Sequence, residues 1–180
     1  MHKTQPYYTT QIEDYIKKLY LSLSIITPDQ LDMITISNKL NIWLHYAPLG
    51  SRAICRGDLF SIVIDNRKTF YHQWEDFGHE LCHVLFHVGN QLFLSKSFLD
   101  YQETKAKNFM MHFCVPTFML RKLAFPETRN ASISLIANTF NVSFSIAEQR
   151  LIHYENQLLA SRLHFFTEKS HCSIKTMECI

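Results

Sequence analysis

The segment 78–83 contains the motif His-Glu-x-x-His, formed by His79, Glu80 and His83. On an α-helix, residues four apart lie one turn from each other on the same face, so both imidazoles can reach one metal ion. Glu80 lies beside them, where its carboxylate can reach a water molecule held by that ion. These residue types at this spacing are typical of zinc-dependent hydrolases.

A catalytic zinc ion usually has three protein ligands and one water. After the motif, a set of five residues recurs at the spacing of one helix face: Leu99, Glu103, Ala106, Met110 and Phe113. Glu103 is the only charged member, and a carboxylate on an apolar helix face is costly unless it is paired or bound to metal. We therefore expect Glu103 to be the third ligand. The alternatives are a pair between Glu103 and Lys107, and Asp100, which lies off this face, as the ligand instead.

Four further residues are candidates for supporting roles. His72 and Asp76 precede His79 by seven and three residues and can share its helix face, where either could orient an imidazole. The alternative is that both are cleft or surface residues. Tyr71, His72 and Tyr101 are candidates for the group that stabilises the oxyanion. His87 cannot join His79 and His83 around one ion, because a helix rises about 6 Å in four residues.

The motif requires a helix, and apolar spacing predicts one over about residues 69–88. Five apolar residues are spaced 3, 4, 4 and 3 apart: Trp74, Phe77, Leu81, Leu85 and Val88. The two histidines lie off that face, so one side packs into a core and the other faces a cleft. The alternative is an amphipathic helix that is rich in histidine and binds no metal.

Two helices and a small sheet are predicted before the motif. Thr10 and Glu13 form a capping-box pair at the start of the first helix. A second helix runs from Thr27 to Leu40, with Asn41 as a left-handed cap. Strands at 42–46, 53–55 and 59–64 form a three-stranded sheet, with a hairpin turn at 56–58. The sheet edge could hold an extended polypeptide by strand addition, unless a loop covers it.

After the second ligand helix, which Pro116 ends, the chain is predicted to form a short helix at 117–123 and a helix-turn-helix pattern at 132–140 and 143–159. In the first half of the second of these helices Arg150 is the only basic residue. That is a poor surface for phosphates, so we interpret the unit as structural, or as a surface that recognises a substrate, in preference to DNA binding. Residues 160–180 are predicted to form a loose tail.

The composition is that of an ordinary globular protein, with 180 residues, 47% of them hydrophobic and 19% charged. A formal net charge of +2 implies no strong attraction to nucleic acid or to a membrane. We find no secretory signal and no apolar run long enough to span a bilayer. The five cysteines are odd in number and form no Cys-x-x-Cys pair, which suits a reducing bacterial cytoplasm.

Three segments together resemble the ImmA/IrrE family of metallo-endopeptidases: residues 77–83, residues 103–109, and Val115-Pro116. That family pairs His-Glu-x-x-His with a downstream helix, Glu-x-x-Ala-x-x-Phe, that ends at a Val-Pro or Met-Pro step, and the match runs from about residue 40 to 155. The resemblance implies Zn²⁺ bound by His79, His83 and Glu103, with Glu80 as general base. The family often has Glu-Ala-Asn where this chain has Lys105-Ala106-Lys107, which leaves Glu103 as the only acidic residue of that segment.

Short ImmA-like members of the family, encoded by phages and mobile elements, are antirepressors that cleave a helix-turn-helix repressor. This chain resembles them more than the longer IrrE type, which adds a C-terminal domain. The resemblance therefore implies a protein substrate, a helix-turn-helix repressor, and no direct binding to DNA. The rival hypotheses are a DNA-binding or protein-binding regulator whose zincin-like domain is not catalytic, and a zinc hydrolase that acts on something other than protein.

The expected fold is α+β: a mostly helical zincin-like domain with a small three-stranded sheet and a C-terminal helix-turn-helix-like unit. We expect the metallopeptidase domain to span residues 1–125, the helical unit 126–160 and the tail 161–180.

Overall fold

The computed structural model describes residues 7–86 and 96–175, with side chains as far as residue 164. The helices are α1 (Gln11–Ser22), α2 (Met33–Lys39), α3 (Phe70–Phe86), α4 (Lys96–Cys114), α5 (Thr117–Leu120), α6 (Arg129–Phe140) and α7 (Phe144–Lys175). The strands are β1 (Trp43–Ala47), β2 (Arg52–Arg56) and β3 (Leu59–Asp65). The predicted α+β fold, mostly helical with a small three-stranded sheet, is confirmed.

Helix α1 begins at the predicted capping box. The Thr10 hydroxyl accepts a hydrogen bond from the Glu13 backbone N–H, and the Glu13 carboxylate accepts one of 2.7 Å from the Thr10 N–H. Each side chain satisfies an N–H that has no partner inside the helix. The pair also fixes the position of the Glu13 carboxylate, which is only 4% exposed.

The prediction of one continuous helix from Thr27 to Leu40 is wrong. A 3-10 helix at Pro28–Gln30 and the separate helix α2 occupy this stretch. Asp32 between them is extended, and its carboxylate accepts a 2.7 Å hydrogen bond from the Thr35 N–H. An aspartate in this position is a strong N-cap, so the chain starts a new helix here. The left-handed backbone predicted at Asn41 is present, with φ of 55°.

The sheet has the strand order β1-β3-β2. Strand β3 pairs in parallel with β1 and antiparallel with β2. The predicted hairpin between β2 and β3 is confirmed, and its turn contains Gly57 with a positive φ of 57°, a conformation that glycine adopts without steric cost. Strand β2 is therefore an edge strand, and α3 lies beside it.

Helix α3 packs closely against α4. Its residues Trp74, Phe77 and Leu81 are buried, as their spacing predicts. A Cβ atom on Gly78 would lie 3.0 Å from the Cys114 Sγ atom, so glycine permits the approach of the two helices. The predicted C-terminal end of the motif helix at Val88, and His87, lie outside the described residues.

The C-terminal unit has the predicted helix-turn-helix pattern, with Asn141 in a left-handed conformation between α6 and α7. The predicted end of the last helix at Leu159 is wrong, because α7 continues to Lys175. Residues 144–175 contain neither glycine nor proline, so nothing in that stretch interrupts the backbone hydrogen bonds. The segment expected to be a loose tail is thus helical through residue 175.

The buried apolar side chains of the sheet, α3, α4, α6 and α7 belong to one cluster. The predicted boundary at residue 126, between the metallopeptidase domain and the helical unit, stays a prediction. Among the described residues, no helix is long and apolar enough to cross a membrane.

A buried polar network lies where α1, α4 and α7 meet. Arg150 is completely buried; its Nε donates to the Val115 carbonyl at 3.0 Å and its guanidinium donates to the Thr117 hydroxyl at 2.5 Å. The Glu13 carboxylate lies 3.5 Å from the same guanidinium and accepts a hydrogen bond from Thr117. This pairing compensates the charge of an arginine that has no access to water.

Candidate metal centre

The structure brings His79, His83 and Glu103 together. The two Nε2 atoms are 3.2 Å apart. One Glu103 oxygen lies 3.1 Å from the His79 Nε2, and the other lies 3.4 Å from the His83 Nε2. Helix α3 supplies both imidazoles one turn apart, and α4, packed beside it, supplies the carboxylate.

These separations fit a zinc ion. With ligand bonds of about 2.0–2.1 Å and tetrahedral angles, two zinc ligands are separated by about 3.3 Å. The three distances here run from 3.1 to 3.4 Å. Two imidazole nitrogens and a carboxylate oxygen are also a donor set that zinc hydrolases use. The residues present therefore fit the metal that the sequence predicts, and their roles as ligands stay predictions.

The prediction that Glu103 lies on a buried apolar face of its helix is wrong, although the residue does face the imidazoles. Its side chain is 49% exposed, so it does not lie on a buried apolar face. The buried face of α4 instead contains Gln102, Ala106, Phe109 and Phe113. Glu103 borders that face, because a helix turns 100° per residue. It therefore points across the α3–α4 contact toward the histidines.

Glu80 is held against strand β2. Its carboxylate accepts a 2.8 Å hydrogen bond from the backbone N–H of Ala53. The pKa of the Glu80 carboxyl is raised to about 7, because burial disfavours its charged form. The Ala53 N–H opposes this rise, and the negative charges of Asp76 and Glu103 add to it. A carboxyl group with such a pKa can both accept and release a proton near neutral pH.

The four supporting candidates have different contacts. The ring of His72 shares a 2.7 Å hydrogen bond with the Thr69 hydroxyl. Tyr71 and Tyr101 are about half exposed, and the Lys105 ammonium lies 4.6 Å from the Tyr101 ring centre. Their roles at an oxyanion stay predictions.

Asp76 was considered as a residue that orients an imidazole, but its contacts are with other residues. It accepts hydrogen bonds from the Ser51 hydroxyl and, at 2.7 Å, from the Lys68 ammonium. These contacts lead to the start of β2 and to the turn before α3. Ser51 and Ala53 were not among the residues predicted for the site. The sequence offered only an indirect indication of these contacts: a predicted sheet edge, and a predicted helix with two acidic residues four apart, Asp76 and Glu80.

A second group of metal-binding residue types lies in the buried network: Glu13, His112 and His153. Its carboxylate is already saturated. Glu13 accepts hydrogen bonds from Tyr7 and Thr117 on one oxygen and twice from Thr10 on the other. About four acceptor positions are available on a carboxylate, and the adjacent Arg150 repels a cation. We therefore interpret this cluster as a structural network, because its carboxylate is already hydrogen-bonded and lies 3.5 Å from the Arg150 guanidinium.

Comparisons with known proteins agree with the motif. A family model described as the IrrE N-terminal-like domain, peptidase M78, matches residues 38–152. Phage-like element PBSX protein XkdA of Bacillus subtilis (strain 168) is 43% identical over 150 residues, which cover 83% of this chain and 76% of that protein. A second protein of the same organism, the uncharacterized YqaB, is 34% identical over 162 residues, or 90% of this chain and 92% of its own. The matched segment includes all three residues that converge at the metal centre as well as Glu80, and it covers well over half of the chain; the protein therefore belongs to the ImmA/IrrE family, peptidase M78, and carries a metallopeptidase-like domain.

Proposed function

We propose that this protein is a zinc-dependent endopeptidase that cleaves a helix-turn-helix repressor. The observation that carries the proposal is the convergence of the His79 and His83 imidazoles and the Glu103 carboxylate at 3.1–3.4 Å. Next to His79 on the same helix, the Glu80 carboxylate contacts the edge strand β2. When bound, zinc lowers the pKa of a water ligand and polarises the scissile carbonyl. The chain's own residues supply the remaining steps.

Glu80 is the general base. Its carboxylate accepts the proton of the attacking water and then delivers it to the leaving amine, so that the peptide bond is hydrolysed without net proton transfer. The position of Glu80, next to His79 in the sequence, keeps it within reach of the centre.

Strand β2 is the surface on which an extended substrate would lie. Ala53 pairs with Ile62 of β3, yet its N–H is directed to Glu80. In an antiparallel ladder, alternate residues direct their backbone groups to opposite sides. The backbone groups of Ala53 and Cys55 therefore face away from β3. An added peptide strand would bind to such groups.

The choice of a repressor as substrate is supported by the relatives of this chain. The chain belongs to the ImmA/IrrE family, and the relative XkdA is named as a protein of a phage-like element. The antirepressors that the sequence resembles are family members encoded by phages and mobile elements. The alternative, a DNA-binding regulator, is not favoured, because Arg150 on the second helix is buried and cannot contact a phosphate.

The test is direct. The purified protein is loaded with zinc and incubated with the repressor encoded beside its gene, with and without a chelator. We expect one or a few defined cleavage products, and none after chelation. An intact repressor in both reactions, with the zinc content verified, would contradict this substrate assignment. Cleavage that survives chelation would contradict the metal dependence.

A further inference from the structure

Helix α3 is joined to strand β2 and to the residue before it by two hydrogen bonds. Asp76 accepts one from the side chain of Ser51, which immediately precedes β2, and Glu80 accepts one from the Ala53 backbone N–H. The two acidic residues are four apart on the helix, a rise of about 6 Å. Their partners are two apart in the sequence, about 6.7 Å in an extended chain. The spacings match, so the helix and the strand are held side by side.

The proposed reaction would break one of these two hydrogen bonds and leave the other in place. Glu80 must be available to a water molecule, and an added substrate strand would use the same Ala53 N–H that Glu80 now occupies. The Glu80 contact is therefore one that the reaction interrupts. The Ser51–Asp76 contact uses a side-chain hydroxyl and a carboxylate that neither bind the metal nor transfer the proton in the proposed reaction, so it can persist during turnover.

The Ser51–Asp76 contact is supported on both sides. The Ser51 Oγ also accepts a 3.0 Å hydrogen bond from the Asp65 N–H at the end of β3. Asp76, whose side chain is 21% exposed, also forms a 2.7 Å ion pair with Lys68. One hydroxyl thus links the beginning of β2, the end of β3 and the helix that carries both imidazoles.

We propose that Ser51 and Asp76 are positioning residues that hold the substrate-binding strand β2 in place against the metal centre while Glu80 is engaged in catalysis. The inference rests on the proposed function, since it assigns these residues a role at that same site. It gives Asp76 a different role from the orientation of an imidazole: Asp76 fixes the strand that would bind the peptide.

The test uses Ser51→Ala, which removes the hydroxyl without changing any charge, with Ser61→Ala on the adjacent strand as the matched control. The first readout is hydrogen–deuterium exchange of the β2 backbone amides in the zinc-loaded protein without substrate. We expect exchange in β2 to accelerate about 10- to 100-fold in Ser51→Ala, as loss of one hydrogen bond to a charged group implies, and to stay unchanged in Ser61→Ala. Zinc content should equal that of the wild type.

The second readout is steady-state cleavage of the adjacent repressor. We expect Ser51→Ala to raise KM about 5- to 20-fold with kcat within about twofold, because binding to the strand is weakened while the metal and Glu80 are intact. Asp76→Asn keeps an oxygen that can accept from Ser51 and should have the smaller effect. Asp76→Ala should raise KM at least as much, because it also removes the ion pair with Lys68. The effects of the double variant should be less than additive, since the two single variants share one contact.

Exchange in β2 that is unchanged in both Ser51→Ala and Asp76→Ala would overturn the proposal. So would a loss of kcat at constant KM, which would place these residues in the chemistry. The exchange measurement does not depend on turnover, so it tests the positioning role even if the wild type leaves the repressor intact. That latter outcome would count against the proposed function alone.

Discussion

At the scale of single residues, the contrast between Glu80 and Glu103 shows how environment separates two carboxylates of one site. Glu103 has a half-exposed side chain and faces two imidazoles, the position expected of a ligand. Glu80 is held against Ala53 with its pKa raised to about 7 by burial. A ligand must be deprotonated, whereas a general base must gain and lose a proton. The two environments suit these different tasks.

Replacement of Glu80 by glutamine should separate metal binding from catalysis. The amide keeps the size of the side chain but cannot accept the proton, so we expect the rate of repressor cleavage to fall about 10²–10⁴-fold. The zinc content, measured by elemental analysis of the purified protein, should not change. Undiminished cleavage by Glu80→Gln would remove this residue from its role.

The role of Glu103 is tested by Glu103→Ala, with Asp100→Ala as the matched control. Asp100 is an exposed acidic residue almost one turn earlier on α4 and was the second candidate ligand. We expect Glu103→Ala to lower zinc affinity by more than the roughly 10–100-fold that loss of an outer hydrogen-bond partner costs. Competition with a chromogenic chelator measures this affinity. If Asp100→Ala weakens zinc binding and Glu103→Ala does not, the assignment is reversed.

At the scale of elements, the metal centre depends on how closely α3 and α4 approach. A Cβ on Gly78 would lie 3.0 Å from Cys114 and 3.1 Å from Phe113, both completely buried. Neither side chain has room to move, so the helix carrying Glu103 would have to shift outward. The glycine immediately before His79 thus sets the distance over which the carboxylate meets the imidazoles.

Gly78→Ala should therefore destabilise the protein. Alanine favours a helix by about 1 kcal/mol over glycine, but overpacking of a tight core costs about 1–3 kcal/mol. We expect a net loss of about 1 kcal/mol in the free energy of unfolding, measured with urea on the metal-free protein, together with weaker zinc binding. Gly50→Ala is the control, because a Cβ there meets nothing within 4 Å. A Gly78→Ala variant more stable than the wild type would show that α4 adjusts freely.

Sequence patterns predicted most elements, and they failed where one local contact decides the outcome. The spacing of Trp74, Phe77 and Leu81 predicted α3 and its buried face, since a helix with one apolar side must bury that side. The capping box at Thr27 predicted a helix start, but the stronger cap at Asp32 began a separate helix. The distance between an aspartate and an N–H three residues later depends on the local backbone, which periodicity does not report.

At the scale of the whole molecule, the buried network joins parts of the chain that are far apart in sequence. Arg150 of α7 and Glu13 of α1 lie 3.5 Å apart, with His112 of α4 beside them. From the sequence, Arg150 was notable only as the one basic residue in the first half of its helix, and the pairing that buries it arises from long-range packing. The same limit applies to Glu103, whose orientation depends on where α4 meets α3.

This network predicts a loss of stability in acid. Burial, with the nearby charge of Arg150, lowers the pKa of His112 to about 3. The unfolded chain, with a histidine pKa of about 6.5, binds the proton more readily, so stability falls as the pH drops below about 6.5 toward 3. Between pH 7 and pH 5 this histidine should cost about 2 kcal/mol of the free energy of unfolding.

Urea unfolding of the metal-free protein at several pH values measures this loss. His112→Gln should flatten the dependence on pH, because the amide does not titrate. His45→Gln, at an exposed position on β1, should leave the dependence as in the wild type. An equal slope in the wild type and in His112→Gln would exclude His112 as the cause.

The counter-ion of Arg150 has a practical consequence for dissecting the protein. Glu13 lies outside the segment 38–152 that matches the family, whereas the guanidinium it neutralises lies inside. A fragment trimmed to those boundaries would lack both the carboxylate that pairs with Arg150 and the buried residues Ile16 and Tyr20 of α1; breaking a buried ion pair alone costs about 3–5 kcal/mol. Small domains have only about 5–15 kcal/mol of stability in total. The first helix is therefore an integral part of the folding unit, and shortened versions should retain it.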